Sequence, residues 1–442
     1  MGNANLADNT YQPTFTNMIS NFGTGYLTAN MPNYDGLTWE KTHSWNIGLD
    51  LSLWDNRIEF IFDAYRKDTK DLLLQTALPW YTGTHITGGT SAQWANVGSM
   101  RNEGIELTLN ATVINKKNFK WKTGLTYSLN KNEITALNSE TGFIDKTLNF
   151  KTWGGETVTR TAVGHSVSQY YGYRVAGRIN SAADFLRDNG DGTSTVIAAT
   201  PNYRVGTVVS NASASALKTS VGDLLFKDLN GDGIINSEDR DYLGSGLPKY
   251  TFGWNNTFTY KRWSLSVFMY GSVGNKVFNW QRRQMDEPSL LSGSVTNKFT
   301  RVSNYAKWAY RDGNPGNQDV WNVYVVPGAD PSETRIDNNH GNYNSRVSDR
   351  YVEDADYLRI KNIVLSYSFP RSICKKLMLQ SLKLSGNVQN LYTFTGYTGY
   401  DPEVGSQNGQ YSMSGQGMLM YGVDTGRVPA PRSFIFTLEA TF

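Results

Sequence analysis

Apolar and polar residues alternate along most of this chain with a period of two. In the segment HSWNIGLDLSL, apolar side chains fall on one face and polar side chains on the other. Successive side chains of a β-strand point to opposite faces of a sheet, whereas a helix would mix the two sets. The pattern therefore predicts β-strands. Nine segments fit it, at residues 42–53, 57–65, 104–114, 119–129, 250–260, 263–270, 357–369, 382–391 and 432–442.

The lengths of the segments and of their connections favour a transmembrane barrel. Most segments are close to the roughly 9–11 residues that a tilted membrane strand requires. Short connections at residues 54–56, 115–118 and 261–262 alternate with long ones at 66–102, 130–249, 271–356 and 392–431. Outer-membrane barrels have short periplasmic turns and long extracellular loops. We therefore predict an all-β fold, a transmembrane antiparallel β-barrel of about nine strands with long extracellular loops.

The segment DYLRIKNIVLSYSF breaks the alternation at one point. Its apolar residues are even-numbered up to Ile360 and odd-numbered from Ile363 onward. A β-bulge adds one residue to a strand and so restores the facing of the side chains beyond it. We expect such a bulge near Lys361 and Asn362.

Aromatic residues flank the short connections. They are Trp54, Phe119, Trp121, Tyr260 and Trp263. Outer-membrane barrels carry aromatic girdles at both membrane-water boundaries, so these residues fit a girdle on the periplasmic side. The alternative is coincidence in a chain with 13% aromatic residues.

The number of strands bears on whether these residues close a barrel alone. In an antiparallel series, the first and the ninth strand run in the same direction, so they cannot pair antiparallel with each other. An open edge would leave backbone N–H and C=O groups in hydrocarbon, at several kcal/mol per group. We therefore expect the nine strands to be part of a larger barrel.

Composition excludes several other classes of protein. The net charge of +3 is small and the Lys and Arg residues are dispersed, so no basic stripe for nucleic acid is predicted. His43, His85, His165 and His340 show neither metal nor triad spacing, and there is no Gly-rich phosphate loop. The chain is not expected to be an enzyme.

Several long stretches resemble one known family. They are LTWEKTHSWNIGLDLSLWDNRIEFIFDAYRKDTKDLLL, NVGSMRNEGIELTLN, GDLLFKDLNGDGIINSEDRDYLGSGLPKYTFGWNNTFTYK, DADYLRIKNIVLSYSFP and LSGNVQNLYTFTGYTGYDPEV. In these stretches and in their order, the chain resembles the C-terminal portion of the β-barrel of SusC-like (SusC/RagA) TonB-dependent outer-membrane transporters. The match spans nearly the whole chain.

The resemblance implies a 22-stranded barrel with an N-terminal plug, in the outer membrane of a Bacteroidetes-like Gram-negative cell. It also implies a SusD-like surface lipoprotein and the TonB–ExbB–ExbD complex as partners. Barrels of this width have a plugged lumen. Within these residues, we identify neither a plug domain nor a TonB box. Residues 1–41 are expected to form an extracellular loop segment, and residues 42–442 the C-terminal part of the barrel.

The function implied is nutrient uptake, the import of oligosaccharide or peptide fragments through a gated lumen without covalent chemistry. Two alternatives stay open. One is a soluble or surface β-protein that binds glycan in a calcium-dependent way. The other is an inactive barrel fragment.

One segment fits the template of a calcium-binding loop, in which oxygen ligands occur at fixed positions around a glycine turn. Ca²⁺ is the only cofactor expected. The alternative is an Asn/Gly/Asp turn that holds no metal. The candidate ligands are Asp228, Asn230, Asp232, Ile234 through its carbonyl, Asn236 and Asp239.

Aromatic residues in the long connections are candidates for contacts with substrate or with a capping lipoprotein. Contact with substrate is considered because aromatic rings can stack on sugar rings. The alternative is that they pack the loops against each other. The candidates are Trp80, Tyr81, Trp94, Trp153, Trp308 and Trp321.

Overall fold

The computed structural model describes residues 14–20, 23–30, 38–77, 92–138, 141–150, 154–201, 205–210, 219–286, 304–330, 333–335, 344–405 and 417–442. Two six-residue helices, α1 (Trp280–Met285) and α2 (Arg371–Lys376), accompany the strands. Among the described residues, no helix is both long and apolar enough to span a bilayer.

The strands are numbered in chain order. The first thirteen are β1 (Thr14–Ser20), β2 (Gly23–Asn30), β3 (Lys41–Leu53), β4 (Ile58–Ala77), β5 (Ala92–Lys116), β6 (Phe119–Leu137), β7 (Phe143–Phe150), β8 (Gly154–Ala162), β9 (Gln169–Tyr173), β10 (Val175–Arg178), β11 (Leu186–Asp188), β12 (Thr193–Val196) and β13 (Val208–Ser210). The others are β14 (Leu224–Phe226), β15 (Arg240–Ser245), β16 (Tyr250–Tyr260), β17 (Trp263–Val273), β18 (Lys276–Asn279), β19 (Trp308–Tyr310), β20 (Val323–Val325), β21 (Val352–Asp354), β22 (Tyr357–Ser368), β23 (Ser381–Thr395), β24 (Val423–Asp424) and β25 (Ser433–Thr441).

One nine-stranded antiparallel sheet dominates the described structure. Its order is β25-β23-β22-β17-β16-β6-β5-β4-β3, so each strand pairs with its neighbour in the predicted series. These are the nine segments that the alternating pattern predicts, and the all-β, partial-barrel fold is confirmed. The sheet is open, with β3 and β25 at its edges.

The outward face of the sheet is a continuous apolar surface. Residues that are partners in an antiparallel ladder lie on the same face. One row of partners crosses eight strands and contains apolar side chains alone: Leu51, Phe60, Leu109, Leu125, Trp254, Met269, Ile360 and Tyr392. Leu109, Leu125 and Trp254 of this row are exposed although they lie on interior strands, as expected for a membrane wall and not for a soluble core.

The predicted phase break in β22 is confirmed as a β-bulge. The register against β17 shifts because Phe268 pairs with Asn362 while Met269 pairs with Ile360, so Lys361 is the extra residue. The pairing with β23 shifts at the same place. The bulge keeps the apolar residues on both sides of it on the outward face.

Aromatic side chains beside the short turns lie in register across neighbouring strands. Tyr260 pairs with Phe119 on β6 and with Trp263 on β17, and Trp263 pairs with Tyr367 on β22. The Trp263 and Tyr367 ring centroids are 4.7 Å apart. This row has the arrangement of a membrane-interface girdle.

Three strands are longer than the alternating pattern predicts. The prediction placed the second, third and fourth strands at residues 57–65, 104–114 and 119–129, but β4, β5 and β6 contain 20, 25 and 19 residues. Parts of the segments interpreted as the loops 66–102 and 130–249 are therefore strand. Beyond the membrane the period of two is lost, because charged residues and apolar runs such as Leu72 to Leu74 follow one another there, so alternation no longer marks the strand.

The long connections are folded, and they contain the buried core. Three of them, within residues 138–249, 274–356 and 396–432, contribute to one cluster that includes Val158, Tyr170, Phe278 and Val423. A four-stranded sheet, β15-β9-β8-β7, lies in the first connection. The Tyr170 hydroxyl donates to the Gly422 carbonyl over 2.8 Å. Prediction of these segments as simple loops missed this structure, because it depends on contacts between distant segments.

The segment before the barrel strands contains the hairpin β1-β2, which forms a separate two-stranded sheet. Assignment of residues 1–41 to the extracellular side stays a prediction.

Candidate functional site

The inward face of the nine-stranded sheet is mostly polar. One row of ladder partners contains glycine, hydroxyl and carboxylate side chains and ends in a tyrosine and a threonine. It consists of Gly48, Asp63, Glu106, Ser128, Thr251, Ser272, Tyr357 and Thr395. A polar inner face opposite an apolar outer face is the arrangement of a water-filled or plugged barrel lumen.

A groove lies on this inward face, where β17 and β22 meet the connection 396–432. Its volume is about 580 Å³. Tyr270 and Tyr357 line it from the strands, and Tyr421 and Arg427 line it from the connection. We call it the mouth groove, because it lies at the end of the sheet where the long connections begin. It offers aromatic rings and hydrogen-bonding groups together, which suits a polar organic ligand.

One wall of the mouth groove is held by the buried guanidinium of Arg359. Its Nε donates to Thr393 Oγ1 over 2.8 Å and its Nη1 to Glu403 Oε2 over 2.9 Å. Its Nη2 donates to Asp401 Oδ1. Lys361 donates to the same Glu403 oxygen over 2.8 Å. Strand β22 and the last long connection are thus joined by a charged network.

The bulge at Lys361 contributes to this arrangement. Arg359 and Lys361 are two residues apart, so both point inward, and the bulge turns Asn362 inward as well. Asn390, opposite the bulge on β23, has a positive φ of 52° and donates from Nδ2 to the Pro431 carbonyl over 3.1 Å. The irregular pairing of β22 and β23 places Arg359, Lys361 and Asn390 within hydrogen-bonding distance of the connection 396–432.

The network holds Asp401 ionised. Burial raises the pKa of the Asp401 carboxyl, but the backbone N–H of Glu403 and the Arg359 guanidinium act in the opposite direction. The net pKa lies below the usual value. Asp401 lies in the connection, outside the membrane strands, and serves as a fixed negative charge beside the groove.

The candidate calcium loop is a closed turn in which the carboxylates accept backbone N–H groups. The Asp228 carboxylate accepts from Gly231 and Gly233 over 2.7 and 2.8 Å. The Asp239 carboxylate accepts from Leu229 and Asn236 over 2.9 and 2.8 Å. Within the described part of the chain, no three His, Cys, Asp or Glu side chains form a group that could hold a metal ion.

The other candidate ligands lie in the same turn. Asn230 Oδ1 accepts from the Asp232 N–H, and Asp232 Oδ1 accepts from the Ile234 N–H. Gly233 has a positive φ of 80°, as the glycine of a calcium loop requires. These bonds suit a metal-free turn and a calcium loop equally, so the Ca²⁺ prediction stays a prediction.

Two of the six candidate substrate aromatics can be located in full. Trp308 Nε1 donates to the Val221 carbonyl over 2.8 Å, and Trp321 Nε1 donates to Ser194 Oγ over 3.0 Å. Both are partly buried and pack against the cluster that includes Val221. Their contacts are with neighbouring loop segments, as in the packing alternative, and neither lines the mouth groove.

Trp80, Tyr81 and Trp153 lie outside the described residues. Trp94 belongs to β5, but its side chain lies outside them as well. Their substrate contacts stay predictions.

Sequence reasoning missed the residues of the mouth groove. Arg359 and Lys361 belong to the stretch DADYLRIKNIVLSYSFP and Asp401 to TGYDPEV, which carried the family resemblance without an assigned role. The sequence signal that could have identified them is that two cationic residues, Arg359 and Lys361, lie in a mostly apolar strand where the alternation breaks. Their partners lie about forty residues away in sequence, so spacing alone did not identify them.

Several known proteins are similar to this chain in sequence. The family described as TonB dependent receptor-like, beta-barrel matches residues 7–215. TonB-dependent receptors P3 and P26 of Formosa agariphila are 30% and 31% identical over 92% and 94% of this chain. TonB-dependent receptor SusC of Bacteroides thetaiotaomicron is 24% identical over 95% of it. The chain spans 35%, 36% and 34% of the lengths of these three relatives.

A solved structure shows the same fold. The structure of the RagAB peptide transporter matches 100% of this chain and 40% of that chain, with a TM-score of 0.62 and 20% sequence identity. At that identity the likeness concerns the fold alone. The nine-stranded sheet, the receptor relatives and this fold agree: the chain is similar to SusC-like TonB-dependent receptors and has the fold of a portion of an outer-membrane β-barrel.

Proposed function

We propose that this chain forms part of the wall and mouth of an outer-membrane transporter that takes up oligosaccharide or peptide fragments. The observation that carries the proposal is the two-faced sheet, apolar outside and polar inside, whose inner face ends in the mouth groove. Such a wall suits passage of polar solutes through a lumen. The receptor relatives support uptake as the activity of the whole protein.

The proposed mechanism is gated passage without covalent chemistry. Substrate would first contact the folded long connections and then the mouth groove, where three tyrosines and the Arg359 network meet. A SusD-like surface lipoprotein is the proposed capping partner. The TonB–ExbB–ExbD complex is the proposed energy source, acting through a plug. The similarity to SusC-like receptors supports both partners.

The exposed apolar face counts against the soluble alternative. In water, a row of apolar side chains across eight strands would be an aggregation surface. Fractionation of cells that make the intact protein separates the two functions, because a barrel requires detergent for extraction whereas a secreted glycan-binding protein does not.

An uptake assay tests the proposal. Cells whose gene for the intact protein is deleted are supplied with wild-type or variant protein, and entry of labelled oligosaccharides and labelled peptides is measured. Tyr357→Ala, in the mouth groove, should reduce uptake several-fold at an equal amount of protein in the outer membrane. Leu384→Val, on the outward face, is the matched control and should leave uptake unchanged.

Two results would contradict the proposal. One is uptake of both substrate classes that persists when the gene is deleted. The other is an equal loss with Tyr357→Ala and Leu384→Val, which would show that the assay reports folding and not passage. Preference for one labelled substrate class would decide between oligosaccharide and peptide.

A further inference from the structure

The outward face of β3 to β6 changes from apolar to charged within two ladder rows. The last apolar row contains Ile47, Ala64, Ile105 and Leu129. The next row contains Trp45, Arg66, Glu103 and Lys131, and the one beyond it His43, Asp68, Arg101 and Glu133. The four strands continue past this boundary, so the charged residues are held in a regular sheet.

The change from apolar to charged residues lies at the depth expected for the extracellular boundary of the membrane's hydrocarbon band. An apolar band about 25 Å tall, crossed by strands tilted by about 40° that rise about 3.4 Å per residue, takes about ten residues. Ten residues counted from Leu53, beside the short turn, end at Ser44. The charged rows at Trp45 and His43 therefore lie on either side of the boundary between hydrocarbon and lipid headgroups.

A pocket of about 470 Å³ opens outward at these rows. Asp68 lies at its centre and holds two arginines: its Oδ2 is 2.8 Å from Arg66 Nε, and its Oδ1 is 2.8 Å from Arg101 Nε. Each guanidinium uses Nε for this contact, and no hydrogen bond joins the Nη groups of either to another described residue. Asp68 thus orients two cationic forks side by side.

The pocket has an excess of positive charge. Lys70 also lines it, is exposed, and has no carboxylate of a described residue within ion-pair distance. Three cations therefore surround one carboxylate. The nearby acids Glu103 and Glu133 share one cation, Lys131, at 4.0 and 3.1 Å, and both also interact electrostatically with Arg101. When these three residues are counted as well, four cations face three carboxylates, so one positive charge remains in excess.

We propose that this pocket binds the phosphate of an outer-leaflet lipid headgroup. The planar guanidinium group has several N–H donors whose geometry matches phosphate oxygens. Asp68 already holds the Arg66 and Arg101 guanidinium groups in place, so these side chains lose little further conformational freedom when they bind phosphate. Trp45, exposed one row below, is an aromatic of the kind found where acyl chains meet headgroups. The site lies on the opposite face from the mouth groove and is separate from the path of any transported substrate.

Lipid binding by the intact protein, extracted from its membrane into detergent, tests the proposal. Native mass spectrometry measures retention of phosphatidic acid and of diacylglycerol with the same acyl chains. The wild type should retain phosphatidic acid in preference to diacylglycerol. Lys70→Gln should weaken phosphatidic acid binding about fivefold, as expected for loss of one cation at a lipid surface. Arg101→Gln should weaken it at least as much.

Lys67→Gln is the matched control, since it removes a cation from the same strand on the inward face, where Lys67 lies over the Tyr65 ring. It should leave lipid binding unchanged. Lys70→Gln leaves the Asp68 contacts intact, so misfolding cannot explain its effect. Equal retention of the two lipids, or equal effects of Lys67→Gln and Lys70→Gln, would overturn the proposal. So would full displacement of phosphatidic acid by millimolar inorganic phosphate, which would indicate a site for free anions.

Discussion

At the scale of single residues, Arg359 joins two parts of the protein that lie far apart in the chain. Its guanidinium is buried and contacts Asp401 and Glu403 from the connection that follows β23. Removing one partner of a buried ion pair leaves an uncompensated charge. Arg359→Gln should therefore lower the free energy of unfolding by about 3–5 kcal/mol.

Chemical denaturation of the intact protein in detergent measures this change. Lys383→Gln is the control, because Lys383 and Glu439 form an exposed pair at 3.8 Å, which is worth about 0–1 kcal/mol. Equal effects of Arg359→Gln and Lys383→Gln would contradict the role of Arg359.

The same network predicts a pH dependence. The pKa of Asp401 is lowered in the folded protein, so its contribution to stability is present above the pKa of an unfolded Asp, about 4. The contribution is lost as pH falls through the lower, folded pKa. Thermal unfolding between pH 7 and pH 3 should show an acid loss of stability in the wild type that is smaller in Asp401→Asn. An equal acid loss in both proteins would show that Asp401 is not responsible.

We predict that the turn from Asp228 to Asp239 binds Ca²⁺. Calorimetric titration of the intact protein with Ca²⁺ should show binding at up to millimolar concentration, and Asp232→Asn should reduce it, because one ligand charge is lost. Asp191→Asn is the control, since Asp191 lies in a similar exposed turn in which its carboxylate accepts the Thr193 N–H. Absence of heat at millimolar Ca²⁺ would identify the segment as a metal-free turn.

At the scale of elements, the two faces of a strand should respond oppositely to a charge. Leu107 lies outward on β5 in the row of Leu49, near the middle of the membrane band, and Thr108 lies inward beside it. Leu107→Arg should destabilise the barrel by about 2–4 kcal/mol, whereas Thr108→Arg should have a much smaller effect. Folding yield in lipid vesicles and urea denaturation measure both variants. A larger loss with Thr108→Arg would reverse the assignment of the faces.

At the scale of the whole molecule, the directions of the edge strands decide what closes the barrel. Eight antiparallel pairings separate β3 from β25, so the two edges run the same way. A fully antiparallel cylinder that contains these nine strands needs an odd number of others. Both edges otherwise expose unpaired backbone groups to lipid, at several kcal/mol per group.

Residues 1–442 made alone should therefore fail to form a sealed barrel. Folded outer-membrane barrels can migrate differently on gels before and after boiling, and this comparison reports closure. The 442-residue chain should show no such difference, whereas a longer chain that supplies the missing strands should show it. A boiling-sensitive compact band from the 442 residues alone would contradict the strand count.

The sequence by itself determined the nine barrel strands, the faces they present and the bulge at Lys361, because alternation with a period of two is a local property of a half-exposed sheet. The family resemblance was also contained in the sequence. Strand ends beyond the membrane were not, since charged residues and apolar runs such as Leu72 to Leu74 follow one another there without a period of two.

Only the tertiary structure decided what the long connections do. Three contacts join different strands and connections. Arg359 contacts Asp401, the Tyr170 hydroxyl donates to the Gly422 carbonyl, and Asp68 forms ion pairs with Arg66 and Arg101. Their geometry depends on ladder register and on the folding of distant segments, and no local period records either. The barrel wall could therefore be predicted from the sequence, whereas the mouth groove and the pocket around Asp68 form only when the strands are paired.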